Sequence, residues 1–193
     1  LELVGQANRE GYDAVILACF SDPGLFAAKE ISDILVVGIQ EISLRMATAL
    51  GCKFTILTLF KERIPHKEAD VWRNKLTPYL ASVRELGMSV LETDEKPDLA
   101  KKRIMAVAGQ AVEDDGAEVI VLGCAGMVGY AEEAARKLGV KKIVMGECGH
   151  ASKSFTVIGD RILTGDLNVP RESALTLLEE ARAPEEWNKY MYF

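Results

Sequence analysis

Gly116-Ala117-Glu118-Val119-Ile120-Val121-Leu122-Gly123-Cys124 repeats in kind an earlier stretch, Gly11-Tyr12-Asp13-Ala14-Val15-Ile16-Leu17-Ala18-Cys19. In both, a glycine and an acidic residue precede a short apolar run that stops at a cysteine, and the cysteines stand 105 positions apart. A recurrence of this kind predicts two pseudo-symmetric halves, each placing one thiol at the tip of a buried strand. Runs that are apolar at every position suit strands of a parallel sheet covered by helices on both faces.

The rest of the chain alternates similar runs with amphipathic stretches. Strands are expected at Ala14–Cys19, Ile34–Ile39, Phe54–Leu59, Ser89–Glu92, Val119–Gly123 and Lys142–Met145. Helices are expected near Gly24–Ser32, Gln40–Leu50, His66–Leu86, Asp98–Asp114 and Val128–Leu138. Pro65 and Pro97 lie near helix starts, where a missing N–H is harmless, and Gly51, Gly87, Gly116 and Gly139 are placed to close helices in the left-handed conformation. The fold class is α/β: two pseudo-symmetric lobes with parallel sheets flanked by helices.

Composition narrows the function classes. The 193 residues are 49% hydrophobic and 27% charged, ordinary for a globular protein, and the formal charge of −6 offers no basic field for a phosphate backbone. Nucleic acid is not an expected partner. No apolar stretch approaches the roughly 20 residues that span a bilayer, and no basic segment with an apolar signal core opens the chain, so no membrane partner and a cytoplasmic location are expected. None of the four cysteines sits in a CxxC pair, and only His66 and His150 are available beside them, so no metal site is expected. The chain opens on Leu1 within a helical pattern, so the natural product is expected to begin upstream.

Ligands of open α/β sheets collect at the carboxyl ends of the strands, where Cys19 and Cys124 both fall. Phe20-Ser21-Asp22-Pro23-Gly24 and Ala125-Gly126-Met127-Val128-Gly129 follow them, turn-forming stretches that lead into helices. Free N–H groups there would favour a thiolate and hold a carbonyl or carboxylate. Asp22 is read as a substrate contact or, equally, as a helix cap. One cysteine at a strand end would be read as a small core residue; two at matching places read as an acid/base pair. Two thiols across a cleft would take a proton from one face of a carbon and return one to the other, which is racemase chemistry. Cys52 has no counterpart in the repeat and is read as core filler.

Tyr12–Leu25, with Ala18-Cys19-Phe20-Ser21-Asp22-Pro23-Gly24-Leu25, and Asp115–Met127, with Val121-Leu122-Gly123-Cys124-Ala125-Gly126-Met127, resemble the two signature motifs of hydantoin and allantoin racemases of the aspartate/glutamate racemase superfamily. The resemblance extends to Val36-Val37-Gly38-Ile39 and Phe54-Thr55-Ile56-Leu57-Thr58 and covers residues 1–139. It implies a cofactor-free enzyme with Cys19 and Cys124 as catalytic acid and base. It also implies substrate contacts at Ser21, Asp22, Thr58, Ala125 and Gly126, a small-molecule substrate and a first lobe lacking its N-terminal strand. An open sheet edge left by that strand makes a homo-oligomer expected.

Residues 140–193 diverge. Val144-Met145-Gly146-Glu147-Cys148-Gly149-His150-Ala151 and Asn168-Val169-Pro170-Arg171-Glu172-Ser173 resemble a stretch in the cysteine-rich domains of heterodisulfide-reductase-like iron–sulfur oxidoreductases, without the adjacent Cys-Cys pair of those domains. The alternatives to a hydantoin or allantoin racemase are therefore a subunit of such an oxidoreductase, a related maleate isomerase or arylmalonate decarboxylase, and a non-catalytic fragment.

Overall fold

The computed structural model describes residues 1–127, 130 and 134 and the backbone of 143–145. Leu1–Cys148 form one compact unit; a second, Gly149–Phe193, lies outside the described residues. In chain order the elements are α1 (Glu2–Glu10), β1 (Ala14–Leu17), α2 (Leu25–Ile31), β2 (Leu35–Gly38), α3 (Ile39–Leu50), β3 (Phe54–Thr58), α4 (Ile64–Arg73), β4 (Leu80–Glu85), α5 (Val90–Glu95), α6 (Pro97–Asp115), β5 (Val119–Leu122) and β6 (Ile143–Met145). β1 and β2 pair in parallel as one sheet; the other runs β4-β3-β5-β6, also parallel throughout.

Both copies of the repeated phrase fold alike at their start. α1 ends at Gly11 with φ 78° and ψ 30°, and α6 ends at Gly116 with φ 68° and ψ 31°. That left-handed conformation is open to glycine without the penalty a Cβ would bring, and it turns the chain out of the helix towards the strand. β1 then leads to Cys19 and β5 to Cys124, so both thiols stand at carboxyl ends of strands.

The four-stranded sheet is covered on both faces. Phe54, Ile56, Val119 and Val121 pack with Leu44 and Ala47 of α3 and Val71 of α4 on one side. Leu57, Ile120 and Leu122 pack with Ala100, Ile104, Ala108 and Ala111 of α6 on the other. Side chains alternate across a strand, so this two-sided burial is what makes every position of β5 apolar. β1 departs from the expectation drawn from its equally apolar run. Val15 and Leu17 join Val36, Val4, Leu25 and Ala28 in a small core under α1 and α2, while Ile16 is 49% and Leu35 64% exposed on the opposite face.

Two expected elements are corrected. Ser89–Glu92 is the start of helix α5: the Glu92 N–H donates to Ser89 Oγ at 3.1 Å and the Ser89 N–H to Glu92 Oε2 at 3.1 Å, a capping box that overrides a weak alternation. The helix expected over His66–Leu86 stops at Arg73, where Lys75 takes φ 59° and Pro78 interrupts, and Leu80–Glu85 becomes β4 against β3. Gly87, with φ 64°, therefore follows a strand rather than a helix. Gly51 is extended at φ −160°, and glycine is needed there because a Cβ would meet Val119 Cγ2 at 2.8 Å. Cys52 is exposed in the turn before β3, not in the core. Gly139 and most of Val128–Leu138 lie outside the described residues.

The capping box carries a pH signature. The Ser89 backbone N–H, with Lys96, lowers the Glu92 carboxyl from 4.5 to about 2. The fold favours the ionised form, so this contribution to stability is complete above about 4.5 and disappears as pH falls toward 2. Urea midpoints followed across that window are expected to decline in the wild type and to lose part of that decline in Glu92→Gln. Ser89→Ala, which removes the other half of the box, should cost about 1 kcal/mol at pH 7.

Candidate active site

The loop after β1 is built around its own backbone. Ser21 and Asp22 donate their N–H groups to the Cys19 carbonyl at 2.7 and 2.9 Å, and Leu25 donates to the Asp22 carbonyl at 3.1 Å. Phe20 turns inward and packs with Ile39, Leu44, Ile56 and Val71, so the loop is rooted between α3 and α4 while Cys19 itself stays exposed. The Ser21 and Asp22 N–H groups are thus taken up within the turn.

Asp22 caps a helix, though not the one that follows it. Its carboxylate accepts from the Gln40 N–H at 3.0 Å and the Glu41 N–H at 2.7 Å, closing the first turn of α3 across the interval between two strands. A Cβ on Gly38 would fall on this carboxylate, so glycine there makes room for the cap. Burial raises the Asp22 carboxyl above the ordinary 3.8 against the pull of those two N–H groups. Asp22→Ala loses the cap and leaves an alanine at φ 45°, and is expected to cost about 2 kcal/mol in a urea titration. Asp22→Asn, which keeps an acceptor and tolerates that φ, should cost less than half as much.

The second thiol has a different setting. Cys124 is half-buried, begins a short 3-10 turn over Ala125–Met127, and packs beside the α6 core. Burial pushes its thiol above the ordinary 9.0; the N–H of Gly126 and the charge of Lys67 pull against this, while Cys19 adds to the rise. Gly123, one residue before it, donates to the Leu57 carbonyl at 2.8 Å and has no space for a side chain. Ala125 packs towards the α3/α4 core and Gly126 is exposed. Thr58 ends β3 at only 2% exposure, its carbonyl accepting from the Leu86 N–H at 2.8 Å. Among the described residues no group of three or more His, Cys, Asp or Glu converges as metal ligands.

Lys67 joins these parts and was missed in the sequence. It is 3% exposed on α4, with Nζ donating to the Phe20 carbonyl, to Ser21 Oγ at 3.3 Å and to Gln40 Oε1 at 2.6 Å. The ammonium stands 4.8 Å from the centre of the Phe20 ring and 3.8 Å from Asp70 Oδ2. Burial lowers its pKa, while Asp70, Cys19 and Asp22 raise it. One signal was available: Ile64, Lys67 and Val71 fall on one helical stripe, and a lysine on an apolar stripe requires buried partners.

Residues 1–149 match the family model described as Asp/Glu/Hydantoin racemase. The chain belongs to that family. Over 144 residues it is 39% identical to a hydantoin racemase of Paenarthrobacter aurescens, covering 74% of this chain and 61% of that one. The allantoin racemase of Pseudomonas fluorescens superposes with a TM-score of 0.68 at 33% identity, over 80% of this chain and 63% of its own. That of Klebsiella pneumoniae superposes with a TM-score of 0.70 at 29% identity, over 74% and 58%. The chain therefore spans about three fifths of the length of these racemases. Within the racemase family match lie both repeated motifs, Lys67 and the Asp22 cap; no helix among the described residues is long and apolar enough to cross a membrane. Cys148 and His150 lie outside the described residues.

Proposed function

We propose that this chain carries the site of a cofactor-independent racemase that inverts C5 of a 5-substituted hydantoin or of allantoin, with Cys19 and Cys124 as the two acid/base groups. The observation that carries this reading is that one thiol stands at a carboxyl strand end of each parallel sheet, with the buried Lys67 ammonium bonded into the loop that bears Cys19. Hydantoin and allantoin racemases among the relatives give the substrate class.

In one direction a thiolate takes the C5 proton, and the C–H electron pair moves into the adjacent ring carbonyl as an enolate. The opposite thiol then gives its proton to the other face of C5, and the enolate pair returns to form the new C–H bond. The net change is inversion, with one proton exchanged between enzyme and substrate. The ring carbonyl already acidifies C5, so two thiols suffice in place of a cofactor sink. Cys124, whose thiol burial raises, rests protonated and serves as the acid; its partner is the exposed Cys19. In the reverse direction the roles exchange.

The Gly126 N–H faces the Cys124 sulfur, where it favours the thiolate after proton donation. Ser21 sits at the mouth of the Cys19 loop, Asp22 holds that loop against α3, and Thr58 lies below the surface at the end of β3. The test is proton NMR of enantiopure 5-substituted hydantoins and allantoin in D₂O. Loss of the C5 proton signal together with loss of optical rotation is the expected outcome. Proton loss without loss of rotation, or a decarboxylated product from an arylmalonate with no action on hydantoins, would refute the reading.

A further inference from the structure

Lys67 is a buried cation whose contacts reach beyond its ion pair with Asp70. Asp70 Oδ2 is 3.8 Å away, and three neutral oxygens, on Phe20, Ser21 and Gln40, receive the Nζ hydrogens. Those oxygens come from the Cys19 loop and from α3, whereas Lys67 itself rides on α4, packed against the sheet that bears Cys124.

We propose that Lys67 is a positioning residue for the two thiols: it ties the Cys19 loop to the Cys124 sheet and supplies a buried positive charge that favours a thiolate there. The inference rests on the two-thiol reading above. Burial favours the neutral state of Cys124, and a second thiolate at the exposed Cys19 would repel a thiolate there. The Asp70 carboxylate 3.8 Å away offsets part of the ammonium's field, while the three neutral oxygens hold Nζ without neutralising it. The charged and polar groups around Lys67 are Cys19, Ser21 and Asp22 from the β1–α2 loop, Gln40 from α3, Arg63 and Asp70 from α4 and the turn before it, and Cys124 from the end of β5. Asp22 is already committed to the α3 N–H groups. Because all three near oxygens are protein groups, Lys67 does not need the substrate, and its loss should act on kcat rather than KM.

The test compares Lys67→Met, Lys67→Gln and Lys67→Arg with the wild type, each first shown to be folded by circular dichroism. Lys67→Gln keeps a donor for the Phe20 carbonyl and loses the charge; Lys67→Arg keeps the charge. Removing a nearby cation disfavours the thiolate, so the acid limb of the kcat/KM–pH profile should move to higher pH by about one unit in the Met and Gln variants and stay in place in the Arg variant. At pH 7 the neutral variants should lose about 10- to 100-fold in kcat with little change in KM. A limb that does not move in folded neutral variants overturns the proposal, and so does failure of both neutral variants to fold, which would make Lys67 a folding residue only.

A second readout is independent of turnover. In a Cys19→Ser, Cys52→Ser, Cys148→Ser background only Cys124 remains, and its thiolate absorbance is titrated with and without Lys67→Gln. An upward shift of the titration is expected. An unchanged titration rejects the role of Lys67 even if racemisation is observed, and a shifted one upholds it even if no hydantoin is turned over, so the two readings fail separately.

Discussion

Cys19→Ser and Cys124→Ser are each expected to lower racemisation by about 10³-fold in both directions, and the double variant is expected to be little worse than either alone. The reasoning is symmetric. In the proposed mechanism each inversion uses one sulfur as base and the other as acid, and microscopic reversibility exchanges the roles for the opposite enantiomer. A serine hydroxyl in the same place is too weakly acidic to be ionised near neutral pH, so it replaces neither role. Loss of either member breaks the unit, which is why the effects do not add. The check is polarimetry from both enantiomers with each single variant and the double. A variant that keeps more than about a tenth of the wild-type rate would remove that cysteine from the reaction. Cys52→Ser serves as the control: Cys52 is exposed, and its N–H donates to Glu118 Oε2 at 2.9 Å in the turn before β3, at the end of the sheet away from Cys124.

Gly123→Ala is the substitution expected to damage the fold most for its size. An added Cβ would stand 2.6 Å from the Leu57 carbonyl oxygen and 2.9 Å from Ile56 Cγ2. The first of these is backbone inside the sheet and cannot swing aside, and it is the same oxygen that accepts the Gly123 N–H. β3 and β5 must separate, or Cys124 must move; a loss of about 3 kcal/mol is expected in a urea titration, at the upper end of what overpacking produces. Gly126→Ala makes the contrast. Its Cβ would meet Thr93 Oγ1 at 3.4 Å and nothing closer, so stability should change by less than about 0.5 kcal/mol. Any larger effect of Gly126→Ala belongs to activity, through the crowding of the turn beside Cys124.

The parallel architecture was legible because strand burial on two faces leaves a mark in composition. β5 is apolar at every position and is buried at every position. The glycines that turn α1 and α6 into the following strands were legible for a similar local reason, since each sits at a left-handed residue. Local signals failed where a distant partner decided the outcome. Leu80–Glu85 reads as the end of a long helix until β3 provides a strand to pair with. Ile16 reads as buried because its neighbours are, yet among the described residues it faces away from the core that β1 joins.

The site shows the same division. Cys19 and Cys124 were singled out as candidates by their repeated context, a property of the sequence alone. Asp22 was read as a cap or a contact for its own loop, whereas its carboxylate reaches α3, beyond a strand that sequence distance does not reveal. Lys67 looked like one more surface charge on an amphipathic helix.

The linear order of residues determined the fold class, the paired thiols and the family of this protein, because periodicity, composition and motif are local and survive without coordinates. Only the tertiary structure decided that Asp22 closes another helix, that Gly38 and Gly123 are required by what lies against them, and that Lys67 is buried against the loop that bears Cys19. Each of these depends on groups brought within a few ångströms by packing, and hydrogen bonds, steric exclusion and the field of a buried charge act over just such distances.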